Sequence, residues 1–435
     1  MKAGHSPNNP LSLISEGKRI PVVVVGGGQA GLSASACLSE RSIEHIVFEK
    51  ERVAWEWETR RWDTFCLVTP NWQCRLPGFP YRGSDPDGFM DKNEIIAYIR
   101  GFADAFKPPL FEGVAVEKIE SRKNVGFQIE TTIGRIFAEQ VVIATGPYQI
   151  PSFPCLADDL PDDIEQIHSS NYKSSKSLKS GNVLVVGSGQ SGCQIAEDLH
   201  ISGRKVHLAV GSAPRVARRY RGKDVVKWLE EMGHYNKSVG ESSKGVSTRD
   251  NTNHYVTGRD GGHDIDLRAF ALDGMGLHGR LRAVSKGNFE FDNDLEKNLN
   301  HADGVSESIK DLIDIHIGSC GLDAPTELRY KPVWQPTIET STAHASLPLS
   351  EISTVIWATG FHSDYSWIQL PVLDDKGNPI HTRGCAPIDG IYFLGLPWLH
   401  SWGSARFGGI AADAAHVADQ IMNNLGAEPK KRSLA

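Results

Sequence analysis

Ile20-Pro21-Val22-Val23-Val24-Val25-Gly26-Gly27-Gly28-Gln29-Ala30-Gly31 is the stretch on which the fold turns. A short β-branched apolar run that stops at glycines reads as a buried strand. Helical periodicity follows from about Gln29 to Ser39, and a second apolar run, His45-Ile46-Val47-Phe48, completes a β-α-β unit. Gly26, Gly28 and Gly31 stand at G-x-G-x-x-G spacing, with Gln29 and Ala30 opening the helix. Glycines there allow a tight turn and let backbone N–H groups approach a pyrophosphate, whose charge the helix N-terminus favours. Glu49 ends the second strand, where a carboxylate accepts hydrogen bonds from a ribose diol and repels a 2′-phosphate. The expected ligand of this unit is FAD or NAD rather than NADP.

The same grammar returns at Asn182-Val183-Leu184-Val185-Val186, followed by Gly187-Ser188-Gly189-Gln190-Ser191-Gly192 and a helix to about Ile201. Such internal repetition marks two copies of one supersecondary unit. After the second strand of this copy, Val206 to Val210, no acid appears; Gly211 and Ser212 stand there instead. Arg215, Arg218, Arg219 and Arg221 follow. Guanidinium forks at this place accommodate the 2′-phosphate of NADP, so the second unit is expected to take NADPH. A solvated basic turn is the competing reading of the cluster.

Residues 115–142 alternate apolar and polar, which predicts short antiparallel strands, and Asp91 with Glu94 writes a capping box before a helix. Ala144-Thr145-Gly146 and Ala358-Thr359-Gly360 each end an apolar strand in a small-residue turn, which brings Thr145, Gly146, Thr359 and Gly360 near a bound dinucleotide. Residues 236–262 are rich in Gly, Ser, Asn and Asp and read as a long surface loop or lid. Periodic structure returns near residue 307, and a last helix is expected from about Phe407 to Asn423.

Composition narrows the function classes. The 435 residues suit two or three domains, and a net charge of -7 offers no field for nucleic acid or an anionic membrane. No apolar run approaches membrane-spanning length, and the first twenty residues read as a disordered lead-in rather than a signal peptide. The 7 cysteines include no Cys-x-x-Cys pair, which disfavours a disulfide framework, a zinc site and a redox dithiol, and points to the cytoplasm. No His/Glu/Cys set has metal-ligand spacing.

These motifs together resemble the class B flavin-dependent monooxygenases, including flavin-containing monooxygenases and YUCCA-like bacterial members. Trp62-Asp63-Thr64-Phe65 through Asn71, Leu76-Pro77-Gly78-Phe79-Pro80, Gly187 to Leu199 and Trp402-Gly403-Ser404-Ala405-Arg406-Phe407-Gly408-Gly409 carry the likeness. It implies an α/β fold of two Rossmann-like domains, with the NADPH domain inserted into the FAD domain. The expected division is an FAD part over 1–150, an NADPH part over 151–345 with a variable insertion at about 225–330, and a returning FAD part over 346–435. It also implies that NADPH reduces the flavin, that oxygen adds to give a C4a-(hydro)peroxyflavin, and that one oxygen atom passes to a small-molecule substrate, at N or S. By the same resemblance Asn71 supports the peroxyflavin, Trp57 lies against the flavin, and His168 couples nicotinamide position to domain motion. The C-terminal helix, starting after Ser404 and Ala405, would face the flavin pyrimidine. His168 and Tyr172 keep half of the family's linker fingerprint, whereas Asp162 and Ile164 depart from it.

Two other readings stay open on the sequence: a two-dinucleotide reductase or oxidase that passes electrons to a partner or to oxygen, and a redox-sensing flavoprotein without catalysis. A homodimer is an open possibility for assembly.

Overall fold

The computed structural model describes residues 19–122, 126–242, 245–250, 253–337 and 345–426. The lead-in over residues 1–18 lies outside them.

The chain opens with β1 (Arg19–Val25), α1 (Gln29–Glu40) and β2 (His45–Glu49). Helix α2 (Lys92–Phe106) starts on the expected capping box: Asp91 accepts from the Glu94 N–H, and Glu94 accepts from the Asp91 N–H. The short β3 (Leu110–Glu112) precedes the meander β4 (Val116–Arg122), β5 (Gly126–Thr131) and β6 (Gly134–Ile143). β6 returns parallel to β1, with Val25 opposite Ile143. Alternate residues of β1 feed two cores. Val22 and Val24 pack with Leu32 of α1 and Ile95, Ile99 and Phe102 of α2. Val23 and Val25 pack with Ile119, Ile129 and Ile136 of the meander. That two-sided burial is why the run shows no polar alternation.

The repeat builds a second sheet. β7 (Glu165–His168) is followed by β8 (Asn182–Val186), α3 (Gln190–Ile201) and β9 (Val206–Ala209). The stretch between residues 225 and 330 is not a loose insertion. It holds a short helix, Val225–Glu231, then β10 (Gly276–His278), β11 (Leu281–Ser285) and β12 (Asn288–Phe291). The long α4 (Leu295–Cys320) follows, so periodic structure resumes well before residue 307. β10 extends the second sheet beside β9. Residues 236–262 contain short helical turns rather than one open loop; residues 243–244 and 251–252 of that stretch lie outside the described residues.

The expected return at residue 346 is displaced. β13 (Ser346–Pro348) pairs with β12, and β14 (Ile352–Trp357) sits between β7 and β8 in the second sheet. Ile352-Ser-Thr-Val-Ile-Trp357 is apolar enough for a central strand, and its pairing carries Ala358-Thr359-Gly360 to the second sheet. The chain re-enters the first sheet only at β15 (Ile368–Gln369) and β16 (Ile391–Phe393), and ends in α5 (Ile410–Asn424). The first sheet runs β15-β4-β5-β6-β1-β2-β3 with β16 also on β6; the second runs β7-β14-β8-β9-β10, all parallel. α5 lies on α1, closed by an Arg41–Asp419 ion pair at 2.7 Å. Among the described residues no helix is long and apolar enough to cross a membrane.

Candidate functional site

Both glycine loops take one shape. Gly26 has φ +106° and Gly187 φ +103°, and the N–H of each donates to the strand alongside, to Phe48 O at 2.7 Å and to Ala209 O at 3.1 Å. A Cβ on Gly26 would lie 2.6 Å from Ala144 O, and one on Gly187 would lie 2.6 Å from Ala358 O. A Cβ on Gly31 or Gly192 would come within 1.8 Å of the carbonyl of Gly26 or Gly187. The alanine of each Ala-Thr-Gly turn thus packs under a glycine loop, and the first and third glycines are demanded by the fold itself. The middle glycines differ: a Cβ on Gly28 or Gly189 meets nothing within 4 Å. Those two face open space, with room for a group to approach the backbone closely.

The loops differ in what stands behind them. Glu49 accepts from Gly27 N at 2.6 Å and from Glu51 N at 2.9 Å, while burial pushes its carboxyl pKa up. Since Phe48 and Ala209 occupy equivalent places, the counterpart of Glu49 is Val210, an apolar side chain. Ser188 takes the place of Gly27 and ties the loop to the strand end: its Oγ accepts from Gly211 N at 2.9 Å.

A cavity of ≈ 480 Å³ opens over the first loop. Gly26, Gly28, Gln29, Ala30, Glu49, Trp57, Thr145, Gly146 and Ala405 all line it. Sequence reading missed Arg60, Arg61, Phe361, Arg406 and Phe407, which line it as well. Trp57 stacks on Phe407 at 5.8 Å, and the Arg61 guanidinium lies 5.0 Å over the Trp57 ring. Arg406 lies 4.2 Å over Trp402 and donates to Asn253 Oδ1 at 2.8 Å. Burial lowers the pKa of both arginines, and neither forms an ion pair with a carboxylate among the described residues. Their signal is weak in a sequence, because an arginine gives no hint of where its partner carboxylate is missing.

Several expected residues stand elsewhere. Asn71 is buried and its amide is used locally: Nδ2 donates to Asp85 O at 2.9 Å and Oδ1 accepts from Met90 N at 2.7 Å. It holds the 85–90 loop and is absent from the cavity wall. His168 is fully buried at the end of β7. Nε2 donates to Gly360 O at 2.9 Å, so Nδ1 accepts from Ser170 Oγ at 2.9 Å. Desolvation lowers its pKa and keeps the ring neutral. It packs 4.8 Å from Phe361, a cavity residue, and acts as a clamp on the second Ala-Thr-Gly turn. Thr359 bonds Ser152 O, and Thr359 and Gly360 border the crossing chains at Ile150–Pro151 and Phe361–His362 rather than the cavity.

The arginine cluster is corrected too. Arg215 is 4% exposed and pairs with Asp303 at 2.7 Å; Arg218 is 2% exposed, pairs with Asp224 at 2.6 Å and donates to Val68 O at 2.7 Å. Arg221 pairs with Asp314 at 3.2 Å, and Arg219 reaches Gly261 O at 3.3 Å. A buried guanidinium costs several kcal/mol to desolvate unless it is paired, and the carboxylates here do that pairing. Arg215 and Arg218 are core ion pairs, not open phosphate forks. The C-terminal helix also starts later than expected, at Ile410, because residues 403–409 form a turn with Ala405 at φ +65°. That turn presents the Ala405 carbonyl to Gln29, whose Nε2 donates to it at 2.7 Å, while the Ser404 Oγ accepts from His400 N and Ser401 N. Among the described residues no group of three or more His, Cys, Asp or Glu could hold a metal ion.

The family model for pyridine nucleotide-disulphide oxidoreductases matches residues 23–309. The chain belongs to that family. An uncharacterized CzcO-like oxidoreductase of Geobacillus kaustophilus is 32% identical over 93% of this chain and 99% of its own length. A probable indole-3-pyruvate monooxygenase of Arabidopsis thaliana, YUCCA4, is 31% identical over 45% of this chain and 48% of its own. In structure, a flavin-containing monooxygenase from Stenotrophomonas maltophilia superposes with a TM-score of 0.64, covering 94% of this chain and 99% of the other at 17% identity. The family match and the CzcO-like relative make this chain an oxidoreductase, and the superposition shows the two-unit fold that it shares with the flavin-containing monooxygenase.

Proposed function

We propose that the chain is an FAD- and NADPH-dependent monooxygenase that delivers one atom of O₂ to nitrogen or sulfur of a small organic substrate. The observation that carries the proposal is the contrast between the two loops. One backs onto the carboxylate of Glu49 and one onto Val210, so a single chain offers one site that rejects a 2′-phosphate and one that does not. On this reading Gly26, Gly28, Gln29, Ala30, Gly31 and Glu49 hold FAD, with Trp57, Thr145, Gly146 and Ala405 around its ring system. Gly187, Gly189, Gln190, Ser191 and Gly192 hold NADPH at the N-terminus of α3. The FAD domain then combines the first 150 residues with the chain after β14.

When bound, the flavin supplies the two-electron redox chemistry between nicotinamide and oxygen. NADPH gives two electrons, the substrate gives two, and O₂ ends as one inserted oxygen atom and one water. The cysteines support oxygen rather than a disulfide as acceptor. All seven are free, none lines the cavity, and burial pushes Cys37 and Cys66 up to about 11 and Cys74 up to about 12, away from thiolate. The relative from Arabidopsis thaliana, named for indole-3-pyruvate, puts aromatic 2-oxo acids beside amines and thioethers as substrates to screen. Arg61 and Arg406, which form no carboxylate ion pair among the described residues and lie beside aromatic rings, suit an anionic molecule.

The test starts with the purified protein. Heat-released cofactor should be FAD at about one per chain, and anaerobic NADPH should bleach its visible band much faster than NADH at equal concentration. A colourless protein that cannot be reconstituted with FAD, or a flavin that NADPH does not reduce, overturns the proposal.

A further inference from the structure

We propose that Arg280, which lies outside the arginine cluster and outside any nucleotide-binding motif, is the residue that reads the 2′-phosphate of the second dinucleotide. The inference rests on the reading of the second loop as a nicotinamide-dinucleotide site.

Strand register places Arg280 there. β9 and β10 run parallel with Ala209 opposite His278, and Val210 N donates to His278 O at 2.9 Å. Carrying that register two residues further sets Arg280 beside Gly211, past the strand ends and above the glycine loop. The side chains agree: Arg280 Nη2 donates to Ser212 Oγ at 2.6 Å, and Nε lies 4.0 Å from where a Gly211 Cβ would be. Ser188 holds Gly211 against the loop, so the guanidinium, the Ser212 hydroxyl and the glycine loop form one edge.

Arg280 also sits on a firm base. Its N–H donates to Asp294 Oδ1 at 3.0 Å, and its carbonyl accepts from Asp292 N at 2.8 Å. Gly279 fits only without a side chain, because a Cβ would lie 1.9 Å from Asp292 O. Unlike Arg215 and Arg218, its side chain is 53% exposed. Its one ion-pair partner among the described residues, Asp294, is 3.7 Å from Nε, longer than the pairs that close Arg215 and Arg218. A phosphate dianion can therefore draw the fork away from a weak partner. The equivalent edge of the first unit follows Glu49 with Lys50 and Glu51, so a phosphate there would face two carboxylates. Gly211 and Ser212 put no acid at the two matching positions and are small enough for an ester to approach.

The experiment measures binding by titration calorimetry on the purified flavoprotein, with adenosine 2′,5′-bisphosphate and 5′-AMP as probes, and needs no turnover. The wild-type protein should bind the bisphosphate at least tenfold more tightly. Arg280→Ala should bring the ratio near one while leaving 5′-AMP affinity and the flavin spectrum unchanged, and Arg280→Glu should reverse the preference. Arg219→Ala, which alters the exposed member of the cluster, should keep the wild-type ratio. An undiminished ratio in Arg280→Ala, or a ratio lost in Arg219→Ala, overturns the assignment to Arg280 while the NADPH reading stands. A wild-type protein that binds the two probes equally overturns the NADPH reading itself, and with it this inference.

Discussion

Asp413 shows what a single residue can conceal. On the sequence it is an acid in the last helix; in the fold it is 3% exposed, and burial pushes its pKa up to about 6 from 3.8. A raised carboxyl pKa means that the folded state favours the protonated acid. The stability it contributes is fully present below about pH 3.8 and is lost as pH rises through about 6. Asp413→Asn should therefore stabilise the protein at pH 8 by up to about 3 kcal/mol and do nothing at pH 3.5, read from urea midpoints at the two values. A variant equally or less stable at pH 8 would contradict that sign. Glu49 supports a second prediction at this scale. It accepts one hydrogen bond from the glycine loop, at Gly27 N, and one from Glu51 N, and its remaining acceptor capacity can serve a ribose. Losing the charge in Glu49→Gln should cost about 1.5–3 kcal/mol, so FAD should dissociate at least tenfold more readily on dilution. Residue roles were the least legible part of the sequence. Glu49 and Gln29, placed by motif spacing, and Trp57, placed by the resemblance, all line the cavity. Asn71 and His168 bond to neighbouring chain rather than lining the cavity; resemblance gives a position along the chain but not the direction in which a side chain points. Arg280 was invisible because only strand pairing brings residue 280 beside residue 212.

At the scale of elements, strand and helix identities were readable wherever a strong period met a sharp boundary. The capping box at Asp91 and the β-branched runs before each glycine loop are such cases. Central strand β14 was read correctly as a strand but given to the wrong unit, since nothing local in Ile352–Trp357 names its neighbour. The glycine loops give a clean test of the two nucleotide sites. Gly28→Ala and Gly189→Ala add a Cβ that meets nothing in the protein, so the thermal unfolding midpoint should stay within a few degrees. Gly28→Ala should lose FAD, and Gly189→Ala should keep FAD but lose NADPH binding by an order of magnitude or more. Gly192→Ala, by contrast, drives a Cβ against Gly187 O and should unfold at clearly lower temperature. If Gly189→Ala binds NADPH normally, the second loop is not its site.

For the whole molecule, repetition within the sequence was the decisive signal, and it carried the two-unit architecture. What it could not carry was the interlock between the units. Asp198 on α3 accepts from Thr64 and Tyr172 and pairs with Arg259 at 2.7 Å, joining the segment after β2, the linker and the stretch before β10. The Tyr148, Phe361 and His168 rings join the cavity wall to the crossing chains in the same way. The separations run from 26 residues for Tyr172–Asp198 and 61 for Asp198–Arg259 to 134 for Thr64–Asp198, so no short window of sequence contains the whole set. The ring contacts join the wall of the cavity over the first loop to the second unit. The measurement that bears most directly on the monooxygenase claim is isotopic. Turnover with NADPH under ¹⁸O₂, with amines, thioethers and aromatic 2-oxo acids as substrates, should give a product carrying one ¹⁸O atom and no more than one NADPH consumed per coupled product. If NADPH oxidation yields only labelled hydrogen peroxide with every substrate class, or a product whose oxygen comes from water, the account is contradicted.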